Sequence, residues 1–137
     1  MSKLAPGDYV IYNRVLSCSG QKLAVTFNGK DKPATVTPLT HSSEQIWCIK
    51  DFTDGRTQTV VPRKSGDLQV AIGKNVAVTI EAGQYVWFIR RGNKGFCIET
   101  GDRDRNWGIE EGNVDEKICV SKDKGHHGYK WVIERVR

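Results

Sequence analysis

Most side chains in this sequence that are capable of chemistry stand where chemistry could not use them. His41 lies beside Ser42 and Ser43, yet no Gly-x-Ser-x-Gly elbow surrounds either serine. Glu110 and Glu111 are adjacent, so their carboxylates diverge instead of flanking a reacting bond. His126 and His127 adjoin in a glycine-flanked loop, which favours solvent exposure over a metal or pH-sensing role. Gly92-Asn93-Lys94-Gly95 does not match a phosphate-binding loop, and Arg90, Arg91 and Lys94 read as solvated charges at the end of a strand. Cys18, Cys48, Cys97 and Cys119 are spaced by 30, 49 and 22 residues without a Cys-x-x-Cys pair, so no metal site is expected. Neither catalysis nor a cofactor is expected. What remains is Gly83-Gln84-Tyr85-Val86-Trp87-Phe88-Ile89, which sets an amide, a phenol and an indole close together.

The same stretch indicates the elements that must hold it. Its tryptophan-centred pattern recurs as Gln45-Ile46-Trp47-Cys48-Ile49 and as Tyr129-Lys130-Trp131-Val132-Ile133. The tryptophans are 40 and 44 residues apart, and an isoleucine follows each two positions on. Recurrence at this period marks structural repeats. With 14 Val, 10 Ile and 9 Thr against 5 Leu, 6 Ala and 1 Met, the side chains suit pleated sheet rather than helix.

Short apolar or alternating runs between Gly, Asp, Asn and Ser turns predict four strands per repeat. They cover 8–13, 22–27, 34–39 and 45–52, then 57–62, 68–72, 76–80 and 85–91, then 95–99, 106–110, 116–121 and 129–136. The expectation is one all-β domain, 1–137, with twelve strands in three pseudo-symmetric four-stranded repeats (approximately 7–55, 56–93 and 94–137). Units too small to bury their own faces must share a core. The β-trefoil, a closed six-stranded barrel capped by three hairpins, does so and leaves no open sheet edge. Trp47, Trp87 and Trp131 are then equivalent core residues. A propeller of three blades falls below the usual range of about four to eight.

The net charge of +5 comes from 21 basic and 16 acidic residues that interleave, as in Asp102-Arg103-Asp104-Arg105. That pattern describes a solvated surface, so a nucleic-acid partner is not expected. Residues 1–7 carry no apolar run suited to a signal peptide, no stretch is long enough to span a membrane, and no Asn-x-Ser/Thr acceptor occurs. With cysteines that read as reduced thiols, these features predict a cytoplasmic protein without membrane insertion.

Four stretches carry a resemblance that extends over essentially the whole chain. They are Tyr9-Val10-Ile11-Tyr12-Asn13-Arg14-Val15-Leu16-Ser17, Ser42-Ser43-Glu44-Gln45-Ile46-Trp47, Tyr85-Val86-Trp87 and Trp131-Val132-Ile133-Glu134-Arg135-Val136. In these the sequence resembles the small cytoplasmic β-trefoil lectins of mushroom fruiting bodies, among them inky-cap lectins that bind α1,3-fucosylated chitobiose cores. The resemblance implies a single sugar site in the second repeat and a defence role against fungus-feeding animals. The implied partners are glycans of glycoproteins or glycolipids, bound by a monomer or weak dimer. Tyr85, Val86 and Trp87 match the implied site identically. Gln84 stands for a shorter amide, Ile80 for another aliphatic residue, and Phe52 for a tyrosine whose hydroxyl is lost. Ala71 stands where the family has a tryptophan, which removes one wall of the cleft.

These residue types suit sugars. The C–H groups on a pyranose face are drawn to the negative face of an aromatic ring, while fixed donors and acceptors read the hydroxyls. Gln84 supplies donor and acceptor, Tyr85 a hydroxyl, Val86 backbone groups, and Ile80 with Val86 an apolar notch for an N-acetyl methyl. Packing alone also accounts for Trp87, because Trp47 and Trp131 recur without a ligand. Tyr85 has a tyrosine counterpart in Tyr129, and Phe52 is equally suited to be a lid at a strand end. A serine-protease inhibitor is the competing expectation, with Arg14, Lys30, Lys32, Arg56, Lys64, Arg103 or Lys124 on a protruding loop.

Overall fold

Runs of β-branched and aromatic residues pair into fourteen strands in a computed structural model that describes residues 4–136. Met1–Lys3, part of the N-terminal stretch considered above, lie outside the described residues. The first repeat holds β1 (Gly7–Leu16), β2 (Lys22–Thr26), β3 (Lys32–Pro33), β4 (Thr35–Pro38) and β5 (Trp47–Asp51). The second holds β6 (Gln58–Pro62), β7 (Leu68–Gly73), β8 (Val76–Glu81) and β9 (Trp87–Gly92). The third holds β10 (Gly95–Thr100), β11 (Asn106–Gly108), β12 (Glu116–Lys117), β13 (Cys119–Ser121) and β14 (Trp131–Arg135).

Six of these strands close a barrel by antiparallel pairing in the order β1, β5, β6, β9, β10, β14 and back to β1. The hairpins β2–β4, β7–β8 and β11–β13 cap one end. Where they meet, three backbone bonds run round a pseudo-threefold axis. Ala34 N–H donates to Ala77 O at 2.9 Å, Ala77 N–H to Ile118 O at 2.9 Å, and Ile118 N–H to Ala34 O at 3.3 Å. All three residues are fully buried.

The expected twelve strands become fourteen because the third strand of repeats one and three changes partner part-way. Residues 32–33 pair with β8 of the second repeat, whereas 35–38 pair with β2 of their own. In the third repeat, 116–117 pair with β4 and 119–121 with β11. The break falls at Ala34 and Ile118, whose amides face the axis instead of a neighbouring strand. The last strand of each repeat also starts later than expected, at the tryptophan itself. Before it, Ser43–Gln45 and His127–Tyr129 form single 3-10 turns, while 83–86 is an irregular loop.

The three tryptophans are equivalent by more than spacing. Trp47 Nε1 donates to Val25 O at 3.0 Å, Trp87 Nε1 to Val70 O at 2.9 Å, and Trp131 Nε1 to Trp107 O at 3.1 Å. Each indole thus reaches from the last strand of its repeat to the second, and buries its one polar group with a partner. Trp107, which the repeat pattern does not single out, fills the position of Val25 and Val70. It meets Trp87 and Trp131 edge-on at centroid distances of 5.2 and 6.2 Å. Its own buried Nε1 has no partner.

This difference makes a test. Trp47→Phe and Trp131→Phe strip a buried carbonyl of its donor and are expected to cost about 2–4 kcal/mol. Trp107→Phe removes an unpaired donor along with ring volume, so about 1–2 kcal/mol is expected. Urea unfolding of the three variants checks the order, and a Trp107→Phe cost equal to the others would refute it.

Candidate functional site

The repeat frame fixes which positions correspond at the rim of the barrel. Two residues before each tryptophan stand Gln45, Tyr85 and Tyr129; one residue after each indole-accepting carbonyl stand Thr26, Ala71 and Gly108. In the third repeat Tyr129 folds inward and is fully buried. Its ring lies so close to Gly108 that a β-carbon there would come within 2.5 Å of it. The Tyr129 hydroxyl donates to Glu110 Oε2 at 2.7 Å and lies 2.7 Å from Ser121 Oγ. Burial pushes the phenol's pKa up, and its hydrogen bond holds the Glu110 carboxyl below its ordinary range. In the first repeat Gln45 is likewise buried. Its Oε1 accepts from Thr40 N–H at 2.8 Å and His41 N–H at 3.1 Å, and its Nε2 donates to Thr37 Oγ1 at 3.0 Å and Pro38 O at 2.9 Å.

The second repeat departs from both. Ala71 brings a methyl group where Gly108 leaves room for a ring. Tyr85 instead lies outward, 40% exposed, over the bare α-carbon of Gly83, where a β-carbon would come within 2.9 Å of the ring. The loop is held by long bonds from Gly83 N–H (3.3 Å) and Tyr85 N–H (3.4 Å) to Gln69 Oε1.

Beneath Tyr85 opens a cleft of about 330 Å³, lined by Ala71, Ile72, Gln84, Tyr85, Val86 and Trp87 on one side. Thr100 at the end of β10 and Gly101, Asp102 and Arg105 of the β10–β11 turn form the other. Trp87 is only 2% exposed and its N–H is already bonded, so it serves as floor and core together. Asp102 Oδ1 accepts from Thr100 Oγ1 at 2.6 Å and Asp104 N–H at 3.1 Å, which holds its carboxyl below the usual aspartate range. Arg105 Nη1 donates to Asn75 Oδ1 at 3.3 Å, which steadies the guanidinium at the far wall. The cleft therefore combines apolar surface with a charged acceptor, a charged donor, an amide and a phenol.

Five of the seven expected site residues, Ala71, Gln84, Tyr85, Val86 and Trp87, come together here. Ile80 does not line this cleft. It shares with Tyr85 a second hollow of about 490 Å³ on the other side of the ring, beside Lys30, Asp31 and Glu81. Phe52 lines neither hollow; it sits in the β5–β6 turn, where its N–H donates to Thr57 O at 3.0 Å. The residues missed from sequence are Thr100, Asp102 and Arg105, which belong to the next repeat. Counting back from the Gly92–Gly95 turn would have found the first of them, because that hairpin register sets Thr100 opposite Trp87.

Several basic residues considered for a protease-facing loop are engaged within the chain. Arg103 Nε binds Glu99 at 3.2 Å and its guanidinium covers Phe88; Lys64 pairs with Glu44, and Lys124 Nζ with Glu110 at 3.5 Å.

A family model described as CCL2 lectin-like matches residues 7–131. The chain belongs to the CCL2-like lectin family. Carbohydrate binding is accordingly its activity. No curated protein sequence matches it. Among solved structures, the Rhizoctonia solani agglutinin superposes with a TM-score of 0.78 at 19% identity, over 99% of each chain. The Macrolepiota procera ricin B-like lectin, solved with lactose, gives 0.77 at 17% identity over 98% of this chain and 100% of that one. A mosquitocidal holotoxin gives 0.87 at 16% identity over all of this chain, which spans only 18% of the toxin. At such identities these likenesses establish the β-trefoil fold.

The lectin's asymmetry between repeats can be measured. Gly108→Ala drives a methyl into the Tyr129 ring and is expected to cost about 2–3 kcal/mol by overpacking. Ala71→Gly meets no such neighbour and should cost no more than about 1 kcal/mol, the backbone price of glycine in a strand. Thermal or urea unfolding decides. Equal costs would mean that Gly108 is not what admits Tyr129.

Proposed function

We propose that this lectin binds an N-acetylglucosamine-containing glycan through the cleft of its second repeat, with fucosylated chitobiose as one candidate epitope. It acts without catalysis or a cofactor, in the cytoplasm, as a defence against fungus-feeding animals. One observation carries the assignment of the site: Tyr85 is exposed, whereas Gln45 and Tyr129 at the same position of the other repeats are buried. A tyrosine released from packing, over a cleft with apolar floor and polar rim, has the make-up of a sugar platform.

In this reading a pyranose ring lies against Tyr85, Gln84 bonds its substituents, and an acetamido methyl enters the notch made by Ala71 and Val86. The Asp102 carboxylate, oriented by Thr100, accepts hydrogen bonds from sugar hydroxyls at the opposite wall. Ala71 leaves that notch wider than a tryptophan would, so the stacking falls on Tyr85 alone.

A glycan array on the native protein is expected to show N-acetylglucosamine-terminated or chitobiose structures; a blank array at high protein concentration would sink the proposal. Tyr85→Ala should lower affinity about tenfold, the upper range of one stacking contact, while leaving the melting temperature nearly unchanged. Native-like affinity in that variant would move the site elsewhere. Because the Asp102 carboxyl is held below its ordinary range, it stays ionised through mild acid. Binding should therefore be flat from about pH 8 to pH 5 and weaken only as Asp102 protonates, below the ordinary aspartate value of about 3.9. Calorimetric titration across pH tests this; a loss near neutrality would implicate another group.

A further inference from the structure

The symmetry that isolates Tyr85 also identifies a second cleft. The indoles of Trp47 and Trp87 bond to Val25 and Val70, so Phe27 corresponds to Ile72 and Glu44 to Gln84. Trp47 pairs with Pro62 as Trp87 pairs with Thr100, so Lys64 corresponds to Asp102. Phe27, Glu44 and Lys64, with Asn28 and Gly29, line a hollow of about 290 Å³. It is the first-repeat counterpart of the cleft at Tyr85. In the third repeat the corresponding space is taken by the Tyr129 ring over Gly108.

We propose that this first-repeat cleft is a second carbohydrate site, which takes a neutral hexopyranose without an N-acetyl group. The lectin would then hold two different sugars without dimerising. Phe27 is half-buried and meets the Trp47 ring edge-on, with centroids 6.4 Å apart and planes at 88°. This braces an apolar platform for the C–H face of a sugar. Phe27 N–H donates to Glu44 O at 2.8 Å, which ties the platform to the acidic wall. The Glu44 carboxylate pairs with Lys64 Nζ, and that bond keeps it ionised below its usual range.

A carboxylate can accept from two adjacent sugar hydroxyls while an ammonium donates to a third oxygen. The pair is exposed, 38% at Glu44 and 51% at Lys64, so opening it for a ligand costs little. Asn28 Nδ2 is committed to Pro33 O at 3.0 Å and Thr35 Oγ1 at 2.9 Å, which fixes the amide and leaves its oxygen as acceptor. Balanced charge disfavours acidic and amino sugars alike. Thr26 and Ile46, which correspond to Ala71 and Val86, do not line this hollow, so the site offers no equivalent of the acetamido notch.

The inference rests on the lectin reading but not on the Tyr85 cleft, and amide-resolved NMR separates the two. The ¹⁵N-labelled full chain is titrated with methyl glycosides of glucose, galactose and mannose to about 50 mM, the range a shallow single site requires. With at least one of the three, shifts are expected at Gly29, Glu44 and Lys64 and should persist in Tyr85→Ala. Glu44→Ala, at an exposed position, should weaken that binding about tenfold, the worth of one charge-assisted contact, without moving amides around Tyr85. Lys64→Ala provides an independent loss from the opposite wall. Silence at these amides with all three sugars overturns the second site, as do shifts that survive both variants. Methyl N-acetylglucosaminide shifting Tyr85 and Val86, with silence at Glu44 under all three neutral sugars, would leave the proposed function standing and this inference refuted.

Discussion

Three indole N–H groups, each bonded to a carbonyl in the second strand of its own repeat, set the frame on which the rest of the molecule depends. An indole N–H removed from water is costly to leave without a partner, and each of these three finds one in the second strand of its repeat. Trp47, Trp87 and Trp131 satisfy that requirement at 2.9–3.1 Å. The barrel strands and the cap hairpins are thereby locked to one another three times over. The ring of amide bonds through Ala34, Ala77 and Ile118 does the same at the axis, where small side chains in two of three positions let the backbones approach.

The repeats stop being alike two residues before each tryptophan. The pre-tryptophan position must either be packed into its own repeat or project from it. Gln45 packs by satisfying its amide with backbone groups of 38–41, and Tyr129 packs by lying on a glycine. Tyr85 has neither option: Ala71 brings a β-carbon where the third repeat has none, and the loop at 83–86 does not form the 3-10 turn seen in the other two. A single methyl group and one missing turn thus separate a core tyrosine from a surface one. The same frame gives the first-repeat hollow a carboxylate and an ammonium in place of the amide at Gln84 and the carboxylate at Asp102.

Much of this was legible in the sequence, and for identifiable reasons. Tryptophan spacing and the two-residue step to isoleucine expose the repeats, because a shared core demands the same large side chain at the same place in each. Strand existence follows from β-branched runs between turns. Strand ends do not, because Ala34 and Ile118 are fixed by a partner in another repeat, and no local preference encodes a change of partner. Of the site, Gln84 to Trp87 and Ala71 could be named from the motif and the family likeness. Thr100, Asp102 and Arg105 could not, because Asp102-Arg103-Asp104-Arg105 has the alternating charge of any solvated turn. Only the β9–β10 register brings it against Trp87. Phe52, which the family likeness offered as a ring without its hydroxyl, sits in the β5–β6 turn and lines neither hollow.

Trp107 shows why the third repeat is closed. It occupies the position of Val25 and Val70 with a far larger ring, and its carbonyl is the one that receives Trp131. Its indole touches both neighbouring tryptophans edge-on, which fills the core on that side while leaving its own N–H unpaired. A core so crowded leaves no latitude at the next residue, where Gly108 lies under Tyr129 and Gly128 lies with a virtual β-carbon 2.0 Å from Ile109 O. The third repeat is therefore built from aromatic rings on glycines and has no room to open. In the second repeat Val70 is smaller, and Tyr85 lies outward where Tyr129 is buried. The space that Trp107 and Tyr129 occupy in one repeat is, in the other, divided between a valine and a cleft. The candidate cleft thus opens where the second repeat carries the smaller side chains.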